Sequence, residues 1–67
     1  MKVTVNGEPV ELPEGTTIAE LLRRRQLNPD RVAVEVNRRL VRSSAGGYDR
    51  VLRDGDAVEI VTFVGGG

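Results

Sequence analysis

Cysteine and histidine are both absent from this chain, and their absence excludes most familiar catalytic and metal sites. Without cysteine there can be no disulfide, no thiolate nucleophile and no cysteine-ligated metal. Without histidine, the commonest metal ligand and the commonest general base near neutral pH are missing as well. Few types of catalytic site can be built from the side chains that are present.

Aromatic residues are scarce: Tyr48 and Phe63 are the only two, and there is no tryptophan. The core must therefore be aliphatic and thin. A length of 67 residues leaves room for one module, so we expect a single domain spanning residues 1–67. In so small a domain, burial of apolar surface barely offsets the entropy lost on folding. We therefore expect buried apolar positions to tolerate truncation poorly.

An excess of either charge is also missing, because ten basic residues balance ten acidic ones. Binding to nucleic acid requires a basic excess, and single-strand binders add aromatic stacking platforms, so nucleic acid is not an expected partner. No apolar run approaches the roughly 20 residues that span a bilayer, and the amino terminus shows no targeting pattern. We expect no membrane association and a cytoplasmic location.

The first half of the chain predicts a β-hairpin followed by a helix. Apolar and polar residues alternate on both sides of Asn6-Gly7, a dipeptide typical of a type I′ turn, so residues 2–12 should form the hairpin. Thr17 and Glu20 have the spacing of a capping box, with Glu20 reaching back to the cap. The apolar stripe that follows predicts a helix from about Ile18 to about Leu27, ended by Asn28-Pro29.

The second half predicts strands. Val32, Val34 and Val36 alternate with polar or small residues, a polar turn at residues 37–39 precedes the short apolar segment Leu40-Val41, and residues 43–47 form a loop by composition. Tyr48 with Val51-Leu52 should return the chain to the core. Residues 54–56 form a turn, and residues 57–64 form the last and strongest strand.

This order of elements predicts an α+β fold, a mixed β-sheet with one main helix packed across one face. The first and last strands should be parallel neighbours in the middle of the sheet. The periodicities predict a core of eight residues: Val3, Val5, Ile18, Leu21, Leu22, Val34, Val58 and Ile60.

Two features of the last strand and its end could carry function. Gly65, Gly66 and Gly67 would form a flexible tail that could enter another protein's active site, although such an end could equally be frayed or begin a linker. If Val58 and Ile60 face the helix, alternation places Val61 and Phe63 on the other, open face of the sheet. An exposed apolar patch there could bind a partner, unless Phe63 packs at the sheet edge.

Other charged groups are better explained structurally. The arginines at residues 23–25, 31, 38, 39 and 42 could bind an acidic partner, but acidic residues spread along the same chain favour a solvated face. Asp54 and Asp56 flank Gly55 before a strand, which is typical of turn formers rather than of metal ligands.

Taken together, these segments resemble the bacterial thiamine-biosynthesis sulfur carriers of the ThiS type, a ubiquitin-like β-grasp family. The similarity extends over nearly the whole chain, with a third glycine, Gly65, added to the family's terminal pair and a small, glycine-rich loop at residues 43–47. The segments that carry it are Asn6-Gly7, residues 17–22, residues 32–37, residues 52–61 and Gly66-Gly67.

The resemblance implies that the chain is a carried substrate and not an enzyme. An E1-like adenylyltransferase would use ATP to activate the carboxylate of Gly67, and a sulfur donor protein would convert it to a thiocarboxylate. Thiazole synthase would then take the sulfur to build the thiazole ring of thiamine. In this scheme Gly65 and Gly66 give passage through the partner's channel, and Val61, Phe63 and Val64 dock. The chain itself would bind no cofactor and no metal.

Two alternatives remain open at this point. Within the same fold, the carrier could serve molybdopterin synthesis or tRNA thiolation, although the short start at Met1-Lys2-Val3 favours thiamine. From a different class, the chain could be a non-covalent ubiquitin-like binding module whose glycines are a linker.

Overall fold

The computed structural model describes residues 1–63, which contain a five-stranded sheet, one α-helix and two short 3-10 segments. The strands are β1 (Lys2–Val5), β2 (Glu8–Glu11), β3 (Val32–Val36), β4 (Arg39–Val41) and β5 (Ala57–Thr62); the helix is α1 (Ile18–Arg24); the 3-10 segments are Pro29–Arg31 and Ser44–Asp49. Across residues 1–63, no helix has the length and hydrophobicity needed to cross a bilayer.

The sheet is mixed, with the strand order β2-β1-β5-β3-β4. The first and last strands, β1 and β5, are parallel and adjacent, while the other three pairings are antiparallel. β5 therefore lies between the two hairpins, β1-β2 on one side and β3-β4 on the other. The predicted α+β fold with parallel first and last strands is confirmed.

Both hairpins turn through two residues with positive φ. Asn6 and Gly7 have φ of 50° and 84°, as the type I′ prediction requires. Asn37 and Arg38 have φ of 53° and 68°, and they join β3 to β4. Sequence reasoning treated this second turn only as polar, because arginine is uncommon at positive φ. The segment Leu40-Val41 is consequently part of an edge strand.

The helix begins as predicted and ends earlier. At its start, the backbone N–H of Glu20 donates to the Thr17 hydroxyl at 3.1 Å, as in a capping box. The Glu20 carboxylate reaches back to Thr17, as predicted, and accepts from that same hydroxyl at 3.3 Å; in a reciprocal capping box it would accept from the Thr17 backbone N–H. The carboxylate therefore supports the capping side chain.

The predicted helix end near Leu27 is wrong, because α1 stops at Arg24. Gln26 adopts φ of 57°, its N–H donates to the Arg23 carbonyl, and the Leu27 N–H donates to the Leu22 carbonyl at 2.9 Å. These two bonds form a Schellman motif. Glycine usually occupies the left-handed position of this motif. Because this chain has Gln26 there, the sequence did not predict the motif.

The core lies between α1 and one face of the sheet, here called the covered face. All eight predicted core residues are buried there, which confirms them. Five more residues join them: Leu12, Val32, Val36, Tyr48 and Leu52.

Tyr48, Val51 and Leu52 were predicted to return the chain to the core, and Val51 is the exception among them because it is 48% exposed. An antiparallel bridge pairs Val51 with Thr17, and alternation along this extended segment then buries Leu52 and turns Val51 outward.

Gly47 lies where the loop of residues 43–47 approaches the end of β4. A Cβ at this position would overlap the Arg42 carbonyl. We expect Gly47→Ala to lower the free energy of unfolding by about 1–3 kcal/mol, because the backbone must shift to make room. Chemical denaturation measures the change. Ser43→Ala is the control: it removes an exposed hydroxyl without a capping hydrogen bond and should stay within about 0.5 kcal/mol of the parent. Equal stability of both variants would contradict the close approach.

Candidate functional site

The open face of the sheet, opposite α1, carries exposed apolar side chains near the end of β5. Val58 and Ile60 are buried on the covered face, whereas Val61 is 60% exposed and Phe63 is 54% exposed. The predicted alternation along the last strand is therefore confirmed. Exposed large apolar groups on the strand that leads towards the carboxy terminus identify this face as the candidate site.

Strand pairing enlarges this site with two residues that sequence reasoning missed. Ala33 pairs directly with Val61 across β3 and β5. Leu40 on β4 pairs with Glu35, lies diagonally next to Ala33, and is 55% exposed. We call Ala33, Leu40, Val61 and Phe63 the open-face patch. Recognising it requires the register of β3 with both neighbours, which no local pattern contains.

Arg31, Glu35 and Glu59 lie near the open-face patch. The Phe63 N–H donates to the Arg31 carbonyl at 2.8 Å, which sets Arg31 beside Phe63. Glu35 pairs with Glu59 on adjacent strands, and both are exposed. Directly opposed like charges on a sheet are mildly destabilising. The open face therefore combines the apolar patch with the exposed carboxylates of Glu35 and Glu59, and the backbone of Arg31 lies beside Phe63.

The remaining predicted site residues are Val64, Gly65, Gly66 and Gly67, and they lie outside the described residues. The structure describes the chain as far as Phe63, which belongs to the open-face patch. Val61 and Phe63 are thus placed together, and the prediction for the four residues beyond them stays a prediction.

Two asparagines hold β5 in place, one near each end. The Asn6 side chain accepts from the Ile60 N–H at 2.7 Å and donates to the Ile60 carbonyl at 3.2 Å. The Asn37 side chain accepts from the Ala57 N–H at 2.9 Å and donates to the Asp56 carboxylate at 3.0 Å. Sequence reasoning assigned both residues to turns only, because these bonds join positions far apart in the chain.

The two aspartates of the turn before β5 have structural roles, as predicted. Asp56 is buried and accepts from the Arg53 N–H at 2.8 Å, while Asp54 accepts from the Lys2 N–H at 2.7 Å. Among residues 1–63, no group of three or more acidic side chains is placed to hold a metal ion.

A shallow groove runs along the edge strand β4, beside the open-face patch. Tyr48 lies in it, and its hydroxyl donates to the Val32 carbonyl at 3.5 Å. Burial raises the pKa of the Tyr48 phenol above its ordinary value. Tyr48 therefore stays neutral and acts as a structural donor.

Comparison with known proteins decides the family. The ThiS family profile matches residues 3–67, nearly the whole chain. The chain belongs to the ThiS family. The resemblance carried by the turn, helix and strand motifs is thereby confirmed.

Solved structures agree with this membership. The ThiS-family chain is similar to the crystal structure of a thiamine biosynthesis protein (ThiS) from Geobacter metallireducens, with 37% identity, full coverage of both chains and a TM-score of 0.80. A ubiquitin-like protein from the archaeon Caldiarchaeum subterraneum shares 19% identity and a TM-score of 0.54 over 98% of this chain, which shows the fold alone. The fold is the ubiquitin-like β-grasp.

One relative of the ThiS-family chain is a much longer protein. A thiazole synthase from Magnetococcus marinus is 44% identical over 68 residues. The alignment covers all of this chain and 20% of that protein, so the chain spans one fifth of the relative's length.

Proposed function

We propose that this chain is the sulfur carrier for thiazole formation in thiamine biosynthesis, and that the carboxylate of Gly67 is the group that carries the sulfur. The observation that carries the proposal is the ThiS family match, which extends through the three glycines to residue 67. The Geobacter metallireducens structure, a thiamine biosynthesis protein by its description, supports the same pathway.

The proposed chemistry has two steps, both involving the terminal carboxylate. First, a carboxylate oxygen of Gly67 attacks the α-phosphorus of ATP, pyrophosphate leaves, and an acyl-adenylate forms. Second, a sulfur nucleophile attacks the acyl carbon, the bond to the adenylate oxygen breaks, and AMP leaves a thiocarboxylate behind. Adenylation supplies the leaving group that a free carboxylate lacks. Glycine suits this position because it has no side chain to obstruct a narrow active site.

The partners follow from that chemistry. An E1-like adenylyltransferase binds ATP and activates the tail, a sulfur donor protein supplies sulfur, and thiazole synthase accepts it. The thiazole synthase of Magnetococcus marinus supports the last partner, because one fifth of its length matches this chain. In this proposal all three partners act in the cytoplasm. ATP is bound by the adenylyltransferase and not by this chain.

The same relative also favours a second candidate, a binding module without covalent chemistry. In that protein, the segment that matches this chain is one fifth of the length, and it can serve as a docking domain whether or not it carries sulfur. The two functions differ in one property, the covalent change at Gly67.

Intact-mass measurement separates them. A protein that ends at Gly67 is incubated with ATP, the cognate adenylyltransferase and hydrosulfide as the sulfur source. A carrier gains the mass difference between one sulfur and one oxygen atom, and it gains nothing when ATP is left out. Unchanged mass, together with tight binding to thiazole synthase, would favour the binding module and contradict the proposal that the chain carries sulfur.

We expect Phe63→Ala to weaken binding to the adenylyltransferase about 30-fold, because a buried aromatic anchor at an interface contributes about 2 kcal/mol or more. Phe63 is exposed on the open face, so the fold should survive. Titration calorimetry measures the affinity and circular dichroism checks the fold. Val51→Ala is the matched control, since Val51 is similarly exposed but pairs with Thr17 outside the sheet. Unchanged affinity for Phe63→Ala, or a collapsed spectrum, would contradict the proposed docking role.

A further inference from the structure

The last strand is supported unequally on its two sides. On the β3 side, pairing continues through Val32 and Thr62 to the bond between the Phe63 N–H and the Arg31 carbonyl. On the β1 side, the described strand pairing ends at Val5 and Val58. Beyond that point β1 turns away into its hairpin, so β5 would lose its neighbour before Ile60.

The Asn6 side chain makes the bonds to β5 that a longer β1 would have made. The Asn6 backbone N–H still follows the strand pattern and donates to the Val58 carbonyl at 2.8 Å, as the next residue of a parallel strand would. In a regular parallel ladder, the Asn6 carbonyl would then accept from the Ile60 N–H. The left-handed turn at Asn6 redirects that carbonyl, and the side-chain oxygen accepts from the Ile60 N–H in its place. The side-chain nitrogen donates to the Ile60 carbonyl. In a continued parallel strand, a backbone N–H further along that strand would make this bond.

We propose that Asn6 is a positioning residue for the carboxy-terminal tail: its side-chain amide clamps Ile60 and thereby fixes the direction in which β5 leads towards Gly67. Between Ile60 and the tail, Val61, Thr62 and Phe63 are bonded on the β3 side, whereas the described strand pairing on the β1 side has already ended. Loss of the clamp would therefore let this segment twist about β3. This inference rests on the proposed carrier function, because it concerns delivery of Gly67 to the adenylyltransferase.

The chain offers a matched pair of variants. Asn6→Gly removes the amide and suits the positive φ of the turn. Asn37→Gly does the same in the other two-residue turn, where the side chain also makes two hydrogen bonds at 2.9 and 3.0 Å. Those bonds lie at the opposite end of β5, at Ala57 and at Asp56 just before it. Both variants therefore lose comparable bonds, but only Asn6→Gly loses them next to the tail.

Two measurements test the proposal. Steady-state pyrophosphate release with the cognate adenylyltransferase should show kcat lowered about tenfold for Asn6→Gly, because misplacement of a reacting group slows the chemical step. KM for the carrier should change little, since the open-face patch is intact. Asn37→Gly should keep the parent kcat. Independently of activity, residual dipolar couplings of the Val61, Thr62 and Phe63 amides should change in Asn6→Gly and not in Asn37→Gly.

The outcomes are distinguishable. Unchanged couplings in Asn6→Gly would overturn the clamp, and changed couplings with the parent kcat would overturn its role in positioning. An equal loss of kcat in both variants would overturn it too, because general destabilisation would then explain the loss. If the parent protein itself releases no pyrophosphate, the proposed function fails, while the couplings still decide whether Asn6 directs the end of β5.

Discussion

Removing Gly66 and Gly67 together is expected to abolish ATP-dependent activation of the proposed carrier while leaving its free energy of unfolding unchanged. Adenylation requires a carboxylate at the end of an unobstructed backbone, and this deletion moves that carboxylate back by two residues, about 7 Å. Stability should not change, because glycine has no side chain to bury. Pyrophosphate release with the cognate adenylyltransferase measures activation, and chemical denaturation measures stability. Release at the parent rate would show that Gly67 does not carry the reacting group.

Three further tail variants sharpen this result. Adding one residue after Gly67 should abolish activation as completely as the deletion does. Gly66→Val should act similarly, because a β-branched side chain both fills the partner's channel and stiffens the backbone. Deleting one of the three glycines, which gives the same chain whichever is removed, keeps a terminal glycine pair and only shortens the reach, so partial activity is expected. Equal rates for all four variants would contradict a length-dependent fit of the tail.

Leu21→Ala should lower the free energy of unfolding by about 2–5 kcal/mol, a large share of the stability of so small a domain. Leu21 lies on the buried stripe of α1, is 1% exposed and belongs to the core between helix and sheet. Truncation removes apolar burial and leaves a cavity that a close-packed core fills only partly. Chemical denaturation followed by circular dichroism measures the loss.

Arg24→Ala provides the control for Leu21→Ala on the same helix. Arg24 is exposed in the last turn of α1, and alanine is a good helix former, so the change should stay within about 0.5 kcal/mol. A midpoint shift within error of zero for Leu21→Ala would show that the stripe is not packed against the sheet. A large loss for Arg24→Ala would show that the helix is held by its charged face.

Local chemistry accounts for the parts of this fold that the sequence predicted. The Asn6-Gly7 turn, the Thr17 cap and the alternation of buried and exposed residues along β5 each depend on neighbours a few residues apart. Hydrogen bonds and side-chain periodicity at that range are fixed by residue type. The exposed positions of Val61 and Phe63 followed from the same alternation, and the glycine run by itself suggested a tail. The sequence by itself therefore determined the elements, most of the core and the candidate docking strand.

Tertiary structure decided what depends on pairing between distant segments. Leu40 and Ala33 join Val61 and Phe63 only through the register of β3 with β4 and β5. The sequence assigns Asn6 only to a turn. Its side-chain hydrogen bond to Ile60, 54 positions away, is known only from the folded structure. The helix end at Arg24 likewise went unpredicted, because Gln26 takes a left-handed conformation that its side chain does not favour. Such features are set by the free energy of the assembled sheet and core, which outweighs local preference and cannot be read from residues that are neighbours only in sequence.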